Sequence, residues 1–224
     1  MSRSLLISVI VAALVAFGAF WLTSTPKQLS GLEAYQPGGA NAQESPAEIA
    51  DVTEMQIGNP DADVTVIEYA SFTCPHCANF HENVYPQLKA DYIDSGKINF
   101  IYREVYFDAP GLWGSLVARC GGEMRFFGIA GMLYERQKEW LASGDRAVIE
   151  TELRKIGKIA GLSDDQLNAC LSDADNATNM VAWFQANSQE HNIRSTPSFV
   201  VNGKTYQNMP YAEFRELLDD ELGE

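Results

Sequence analysis

The stretch from Val64 to Tyr85 reads VTVIEYASFTCPHCANFHENVY, and it decides the fold. Its first seven residues are rich in β-branched side chains, which is typical of a strand. The sequence Cys74-Pro75-His76-Cys77 follows, and a helical pattern begins within it, because proline is well tolerated in the first turn of a helix. Two cysteines separated by two residues, at the junction of a strand and a helix, indicate a redox-active dithiol.

The position of each cysteine predicts its role. A thiolate is the reactive form of cysteine, and its pKa falls at a helix N-terminus, where unpaired N–H groups and the helix dipole stabilise negative charge. We therefore predict that Cys74 is the nucleophile and that Cys77, one turn into the helix, is the resolving cysteine. The alternative is half of a zinc site, which needs a second cysteine or histidine pair at ligand spacing. Cys120 and Cys170 are 50 residues apart, so we expect no metal.

The two residues between the cysteines are candidates for tuning the dithiol. A histidine at position 76 can donate a hydrogen bond to the Cys74 thiolate or lie near it as a cation, and Pro75 shapes the same turn. Stabilising the thiolate makes the disulfide easier to reduce, so the oxidised protein becomes a stronger oxidant. Alternatively, His76 is merely exposed and has little effect.

Glu68 lies six residues before Cys74 in an otherwise apolar strand. Alternation along the strand places it on the same face as Val64 and Val66. If both faces of the sheet are covered, Glu68 is a buried carboxylate that can exchange a proton with Cys77. The alternative is a solvent-facing or salt-bridged glutamate.

The residues that follow predict an α/β fold with an all-helical insertion. We expect one helix from Pro75 to Tyr92, kinked at Pro86, and a second strand from Ile98 to Val105. A strand–helix–strand order of this length implies a right-handed crossover and parallel strands. Helical patterns then fill residues 108–193: Leu112–Cys120, Arg125–Leu141, Arg146–Ala160, Asp164–Leu171 and Asn176–His191.

The chain ends in a predicted hairpin and helix. Two short strands, Ser198–Val201 and Lys204–Gln207, flank Asn202-Gly203, which is a strong hairpin turn. An amphipathic helix from Tyr211 to Leu222 follows.

The N-terminal segment predicts export. After Arg3, the chain is apolar from Leu5 to Leu22, and at about 1.5 Å per residue such a helix nearly crosses a bilayer core. We expect residues 1–23 to be a membrane anchor or a cleaved signal sequence, residues 24–54 a linker, and residues 55–224 the folded domain. A buried core helix is the third alternative for the apolar run. Either form of export delivers the domain to an oxidising compartment, where disulfides persist.

Charge and cysteine count narrow the function classes. The net charge is −14, which argues against binding nucleic acid, because phosphates require a basic surface. Four cysteines allow three pairings, and the spacing of Cys74 and Cys77 leaves Cys120 and Cys170 as the second pair. That pair is either a staple for the helical insertion or a second redox-active pair. We expect His81 and His191 to be packing or surface residues.

Three features together resemble the DsbA family of thioredoxin-fold thiol:disulfide oxidoreductases, in its alphaproteobacterial DsbA-like branch. They are VIEYASFTCPHC, the helical insertion and STPSFVVNGK. The resemblance implies a thioredoxin-like fold in which Pro197 is a cis-proline facing the dithiol. Thr196 then presents backbone groups to an extended substrate peptide. It also implies that Cys120 and Cys170 form the extra disulfide of that branch.

The resemblance further implies a thiol:disulfide interchange protein that oxidises substrate cysteines in the periplasm. Its partners would be reduced or unfolded exported proteins, with a DsbB-type membrane oxidase to regenerate it. No metal, nucleotide or organic cofactor is implied, because the dithiol itself carries the electrons. Two alternatives stay open. Threonine before the cis-proline also occurs in isomerase-type relatives, so a disulfide isomerase or reductase is one. A thioredoxin-fold binding or chaperone module with a passive disulfide is the other.

Overall fold

The computed structural model describes residues 52–224. The predicted signal or anchor at 1–23, and residues 24–51 of the predicted linker, lie outside the described residues. Within residues 52–224, none of the helices combines the length and the apolar character needed to span a membrane.

A five-stranded mixed sheet forms the centre of the described part. Its strands are β1 (Met55–Gly58), β2 (Val64–Ala70), β3 (Ile98–Glu104), β4 (Ser198–Val201) and β5 (Lys204–Gln207), in the order β1-β3-β2-β4-β5. The central strand β2 pairs in parallel with β3 and antiparallel with β4. The β2–β3 pairing confirms the parallel crossover predicted from the sequence, and the other strand pairs are antiparallel.

The helices surround this sheet and form the insertion between β3 and β4. After β2 come α1 (Pro75–Asn83), α2 (Tyr85–Leu88) and a π-helical turn (Lys89–Ile93). The insertion contains α3 (Ala109–Cys120), α4 (Glu123–Glu135), α5 (Gln137–Trp140), α6 (Arg146–Ile159), α7 (Asp164–Leu171) and α8 (Ala174–Glu190). Helix α9 (Tyr211–Leu222) follows the hairpin. This is a thioredoxin-like fold with a helical insertion, as the sequence predicted.

Both faces of the sheet are covered, which is why β2 lacks a polar face. On one face, Val64 and Val66 pack with Phe80 of α1, Leu88 of α2 and Phe214 of α9. On the other face, a smaller cluster contains Tyr69, Val105 and Val200, with Phe184 of α8 packed against it. Burying a large apolar side chain contributes about 1.5–3 kcal/mol, so the first cluster accounts for much of the stability of the sheet.

Three details differ from the sequence-based expectations. The predicted helix from Pro75 to Tyr92 is not one kinked helix, because α1 ends at Asn83 and a new helix begins at Tyr85. Pro86 lacks the N–H that a continuous helix would need there, and it lies in the first turn of α2. The predicted helix from Arg125 to Leu141 is likewise divided, between α4 and α5. Strand β1 was not predicted, because four residues ending in glycine carry almost no strand pattern.

A disulfide joins Cys120, the last residue of α3, to Cys170 in α7, with Cα atoms 5.8 Å apart. The preceding residue, Arg119, forms a two-pronged ion pair with Glu104 at the end of β3, with N–O distances of 2.7 Å. Glu104 is 1% exposed, and Arg119 is its ion-pair partner. The sheet, α3 and α7 are therefore connected through two consecutive residues.

Candidate active site

The turn between β2 and α1 positions the two cysteines. The backbone N–H of Cys74 donates to the Ser71 carbonyl at 3.1 Å, and Cys74 is the N-cap residue of α1, with φ −80° and ψ 120°. Pro75 occupies the first turn, and Cys77 lies one turn into the helix. Cys77 is fully buried, and Cys74 is 8% exposed. Cys74 is thus the more accessible of the two cysteines, although most of its surface is buried.

The two thiols have opposite electrostatic environments. Hydrogen bonding from Cys77 is the largest of the effects that lower the pKa of Cys74 to about 5, against the opposing effect of burial. Thr196 and the backbone N–H groups of Cys77 and His76 lower this pKa further. Burial, followed by the interaction with Cys74 and the negative charge of Glu68, raises the pKa of Cys77. At neutral pH, Cys74 is therefore a thiolate and Cys77 a thiol.

The loop before β4 closes the other side of the dithiol. The Thr196–Pro197 peptide bond is cis, and the Cys74 Sγ lies 3.5 Å from the Thr196 carbonyl oxygen. Ser198 pairs with Tyr69 near the end of β2, so the sheet register itself brings Thr196 beside Cys74. The backbone of Thr196 therefore faces the more accessible of the two cysteines.

The side chains of Pro75 and His76 are both exposed. His76 lowers the pKa of Cys74 through its backbone N–H. Among residues 52–224, no side chain forms a hydrogen bond with the His76 imidazole. Tuning by the imidazole of His76 stays a prediction.

Glu68 lies on the same face of β2 as Val64 and Val66, as alternation predicted, and its side chain is fully buried. Both of its carboxylate oxygens contact His81 Nε2, at 3.1 and 3.0 Å. The expectation that His81 only packs or faces solvent is therefore incomplete, because its ring is the buried partner of Glu68. His191 lies on the other face of the sheet, where its Nδ1 is 2.6 Å from the Tyr69 hydroxyl.

Aromatic rings hold His81 in place. The imidazole stacks against Tyr134 of α4, with ring centroids 4.1 Å apart, and against Tyr85, at 4.7 Å. The Tyr134 hydroxyl is in turn 2.5 Å from the hydroxyl of Tyr102, which lies beside Glu68 in β3. Burial raises the pKa of both tyrosines well above the ordinary value, so they stay neutral hydrogen-bonding groups.

Gln137, at the start of α5, ties the helical insertion to the active-site turn. Its side-chain amide donates to the carbonyl oxygens of Phe72 and Cys74, both at 2.9 Å. The residue is 5% exposed, so these bonds form away from bulk water. Sequence reasoning missed Gln137, because nothing in its neighbourhood indicates that α5 reaches this turn.

A cavity of about 440 Å³ lies beside this group. Its walls include Ala78, His81, Tyr85, Tyr134, Gln137 and Lys138. Within residues 52–224, no group of three or more histidine, cysteine or acidic residues is arranged to hold a metal ion.

A mixed five-stranded sheet, a Cys-x-x-Cys pair at a helix N-terminus and an adjacent cis-proline define a thioredoxin-like dithiol protein. A family model described as thioredoxin matches residues 50–220, and the chain belongs to that family. The chain is also similar to a provisionally named protein-disulfide oxidoreductase of Rickettsia bellii. The two are 31% identical over 175 residues, covering 78% of this chain and 66% of that protein. The chain therefore spans slightly less than two thirds of that relative's length.

Solved structures give the same result. Wolbachia pipientis alpha-DsbA1 is 26% identical with a TM-score of 0.70, over 76% of this chain and 91% of that one. A structure described as protein-disulfide isomerase from Novosphingobium aromaticivorans is 25% identical with a TM-score of 0.68, over 76% of this chain and 98% of that one. The resemblance to DsbA proteins inferred from the sequence is thus confirmed.

Proposed function

We propose that the chain is a protein thiol:disulfide oxidoreductase that introduces disulfides into exported proteins in the periplasm. The observation that carries this proposal is the unequal pair of thiols. Cys74 is the accessible member, with its pKa lowered to about 5, whereas Cys77 is fully buried with a raised pKa. A stabilised Cys74 thiolate favours the reduced protein, so the oxidised protein readily takes electrons from substrate thiols.

In the proposed reaction, a substrate thiolate attacks Cys74 Sγ of the Cys74–Cys77 disulfide. A substrate–Cys74 disulfide forms, the Cys74–Cys77 bond breaks, and its electron pair goes to Cys77 Sγ. Glu68, buried near Cys77, is the proposed donor of the proton that Cys77 takes up. A second substrate thiolate then attacks the substrate sulfur, and Cys74 leaves as a thiolate. The substrate has lost two electrons, which the protein now holds.

The proposed substrate contact is the backbone around Thr196 and Pro197. This segment enters β4 directly and faces Cys74, so an extended peptide can pair with it as an added strand. Backbone pairing makes few demands on side chains, which suits an enzyme whose substrates are reduced exported proteins of many sequences.

The reduced protein requires an oxidant to start a new cycle. We propose a DsbB-type membrane oxidase, and no metal, nucleotide or organic cofactor, because the dithiol itself carries two electrons. Periplasmic location is supported by the apolar run at residues 5–22 and by the Cys120–Cys170 disulfide, which persists in an oxidising compartment.

A disulfide isomerase is the second candidate, and Thr196 favours it. The residue before the cis-proline is a threonine, which also fits isomerase-type relatives. The Novosphingobium structure carries the isomerase description. An isomerase acts in its reduced form, whereas an oxidase acts in its disulfide form, so the two can be separated by assay.

The test combines an equilibrium and a rate. The full chain is equilibrated with glutathione buffers to measure the Cys74–Cys77 potential, and the oxidised chain is mixed with a reduced dithiol peptide. We expect a potential well above that of thioredoxin, about −270 mV, and rapid oxidation of the peptide. Cys74→Ser should abolish oxidation, whereas the Cys120→Ser/Cys170→Ser variant, as a matched control, should retain it. A potential near that of thioredoxin would overturn the oxidase assignment.

A further inference from the structure

The carboxylate of Glu68 has no direct path to solvent. Its side chain is fully buried in the central strand, and it does not line the neighbouring cavity. A group that gives a proton to Cys77 must recover one, and a fully buried carboxylate cannot do so from bulk water by itself. The proposed reaction therefore needs a second group that connects Glu68 to solvent.

His81 contacts both Glu68 and the neighbouring cavity. Its Nε2 lies 3.0 and 3.1 Å from the two Glu68 oxygens, while the ring also lines the cavity of about 440 Å³. The His81 side chain is 6% exposed, compared with 0% for Glu68. A space of this size is large enough for water, and polar groups such as Glu82, Glu135 and Lys138 also line it.

An imidazole suits this position because its two nitrogens can be occupied at the same time. Nε2 contacts the Glu68 carboxylate, and Nδ1 can exchange a proton with water. Stacking against Tyr85 and Tyr134 holds the ring so that the Nε2–Glu68 contact is kept. His81 also lies four residues after Cys77, on the same face of α1, so both face the strand that carries Glu68.

We infer that His81 carries protons between the cavity and Glu68 during thiol–disulfide exchange, a role that rests on the proposed function. The relay starts with one proton between the Glu68 carboxylate and His81 Nε2, which are in hydrogen-bond contact. When the Cys74–Cys77 bond breaks, the pair gives this proton to the Cys77 thiolate, which leaves a carboxylate and a neutral imidazole. Water in the cavity then supplies a proton to His81. During reoxidation the proton travels in the opposite direction. His81 acts through Glu68, so it is a positioning and relay residue that does not touch the reacting sulfurs.

The other titratable groups near Glu68 and the cavity are less suited than His81 to carry the proton. They are Cys74, Cys77, Tyr85, Tyr102 and Tyr134 around the pair, and Glu82, Glu135 and Lys138 around the cavity. Burial raises the pKa of all three tyrosines, so their hydroxyls stay protonated throughout the neutral range. The acidic and basic groups of the cavity belong to exposed residues, so they can exchange protons with solvent without a relay.

The experiment measures the rate at which dithiothreitol reduces the Cys74–Cys77 disulfide of the full chain, between about pH 5 and about pH 9. The variants are His81→Gln, which keeps a donor toward Glu68 but cannot relay a proton, and His81→Ala, which enlarges the cavity. His191→Gln is the matched control, because His191 lies on the other face of the sheet. Circular dichroism checks that each variant is folded.

We expect His81→Gln to slow reduction at least tenfold, since general acid–base groups contribute roughly 10²–10⁴-fold. Once the rate is divided by the thiolate fraction of dithiothreitol, the variant should also have a flatter pH profile than the parent. Added imidazole should restore much of the rate of His81→Ala, and His191→Gln should match the parent. In a Glu68→Gln background, replacing His81 should have no further effect, because His81 acts through Glu68. Rescue by imidazole is a readout that a purely structural role of His81 would not produce.

The outcomes separate this inference from the proposed function. If the parent exchanges disulfides but His81→Gln has the same rate and pH profile, the relay is wrong and the proposed function stands. The same conclusion holds if imidazole leaves the rate of His81→Ala unchanged, and this measurement decides the matter if the glutamine variant does not fold. If the parent disulfide does not exchange at all, the proposed function fails, and the relay fails with it.

Discussion

The unequal pKa values of the two thiols predict how the reduction potential of the Cys74–Cys77 pair changes with pH. The perturbation is a titration from about pH 4 to about pH 9. Above about pH 5, Cys74 is a thiolate in the reduced protein and Cys77 is a thiol, so reduction takes up two electrons and one proton. Below about pH 5, Cys74 is protonated as well, so reduction takes up two protons.

The slopes follow from this proton count. For a two-electron couple, each proton taken up lowers the potential by about 30 mV per pH unit. We therefore expect the potential to fall by about 30 mV per pH unit above pH 5 and by about 59 mV per pH unit below it. The lowered Cys74 pKa stabilises the reduced state at pH values above about 5, and this stabilisation disappears as the pH falls through about 5. At pH 7, two units above this pKa, the potential should be roughly 60 mV higher than that of a pair whose thiols are both protonated.

The assay has two parts. Equilibration with redox buffers gives the potential at each pH, and the ultraviolet absorbance of the thiolate follows the titration of Cys74 in the reduced protein. Cys74→Ser should lose this absorbance change, while the chain without the Cys120–Cys170 disulfide should keep it. A single slope of about 59 mV from pH 6 to 8 would refute the reasoning, because it would mean that Cys74 remains protonated at neutral pH.

Three further predictions concern stability, each measured as the free energy of unfolding in denaturant. Gln137→Ala should cost about 1–3 kcal/mol, because it leaves two carbonyl oxygens of the active-site turn without their buried donor. Cys120→Ser/Cys170→Ser should cost about 4 kcal/mol, from the entropy of a loop closed across 50 residues. Arg119→Met should cost about 3–5 kcal/mol, because it leaves the buried Glu104 carboxylate without its cation.

Each of these predictions has an outcome that contradicts it. For Gln137→Ala, unchanged stability would mean that water replaces the side-chain amide as the donor. Gln137→Glu is the matched variant, because it keeps the size of the side chain but loses the amide donor. For the disulfide, equal stability of the parent and the double serine variant would refute the staple. For Arg119→Met, stability restored by adding Glu104→Gln would support the explanation by charge, and no recovery would argue against it.

Local pattern predicted the fold from the sequence to a large extent. β-Branched residues mark β2, and the Asn202-Gly203 turn marks the final hairpin. Strand β1 was not predicted, because it is short and is stabilised by pairing with β3 rather than by the strand propensity of its residues. The end of α1 before Val84 was not predicted either, since Pro86 indicates that the helix is interrupted but not at which residue it ends.

The candidate site was predictable where chemistry is local and not where it depends on tertiary contacts. The Cys-x-x-Cys spacing identifies Cys74 and Cys77, and alternation along β2 places Glu68 on the covered face. His81 carried one available clue, its spacing of four residues after Cys77, but its pairing with Glu68 depends on how α1 lies on the sheet. Gln137 carried none, because its two acceptors are more than 60 residues away along the chain.

The difference in exposure between the sulfurs has a consequence for which disulfides the protein would make. Cys77 has no exposed surface, so both client thiols must reach the neighbourhood of the same sulfur, one after the other. After the first attack the client is tethered at Cys74, and a second thiol of the same chain is present at a high effective concentration, on the order of millimolar. A thiol of another molecule has no such advantage. Under the proposed function, the geometry therefore selects bonds within one polypeptide over bonds that join two.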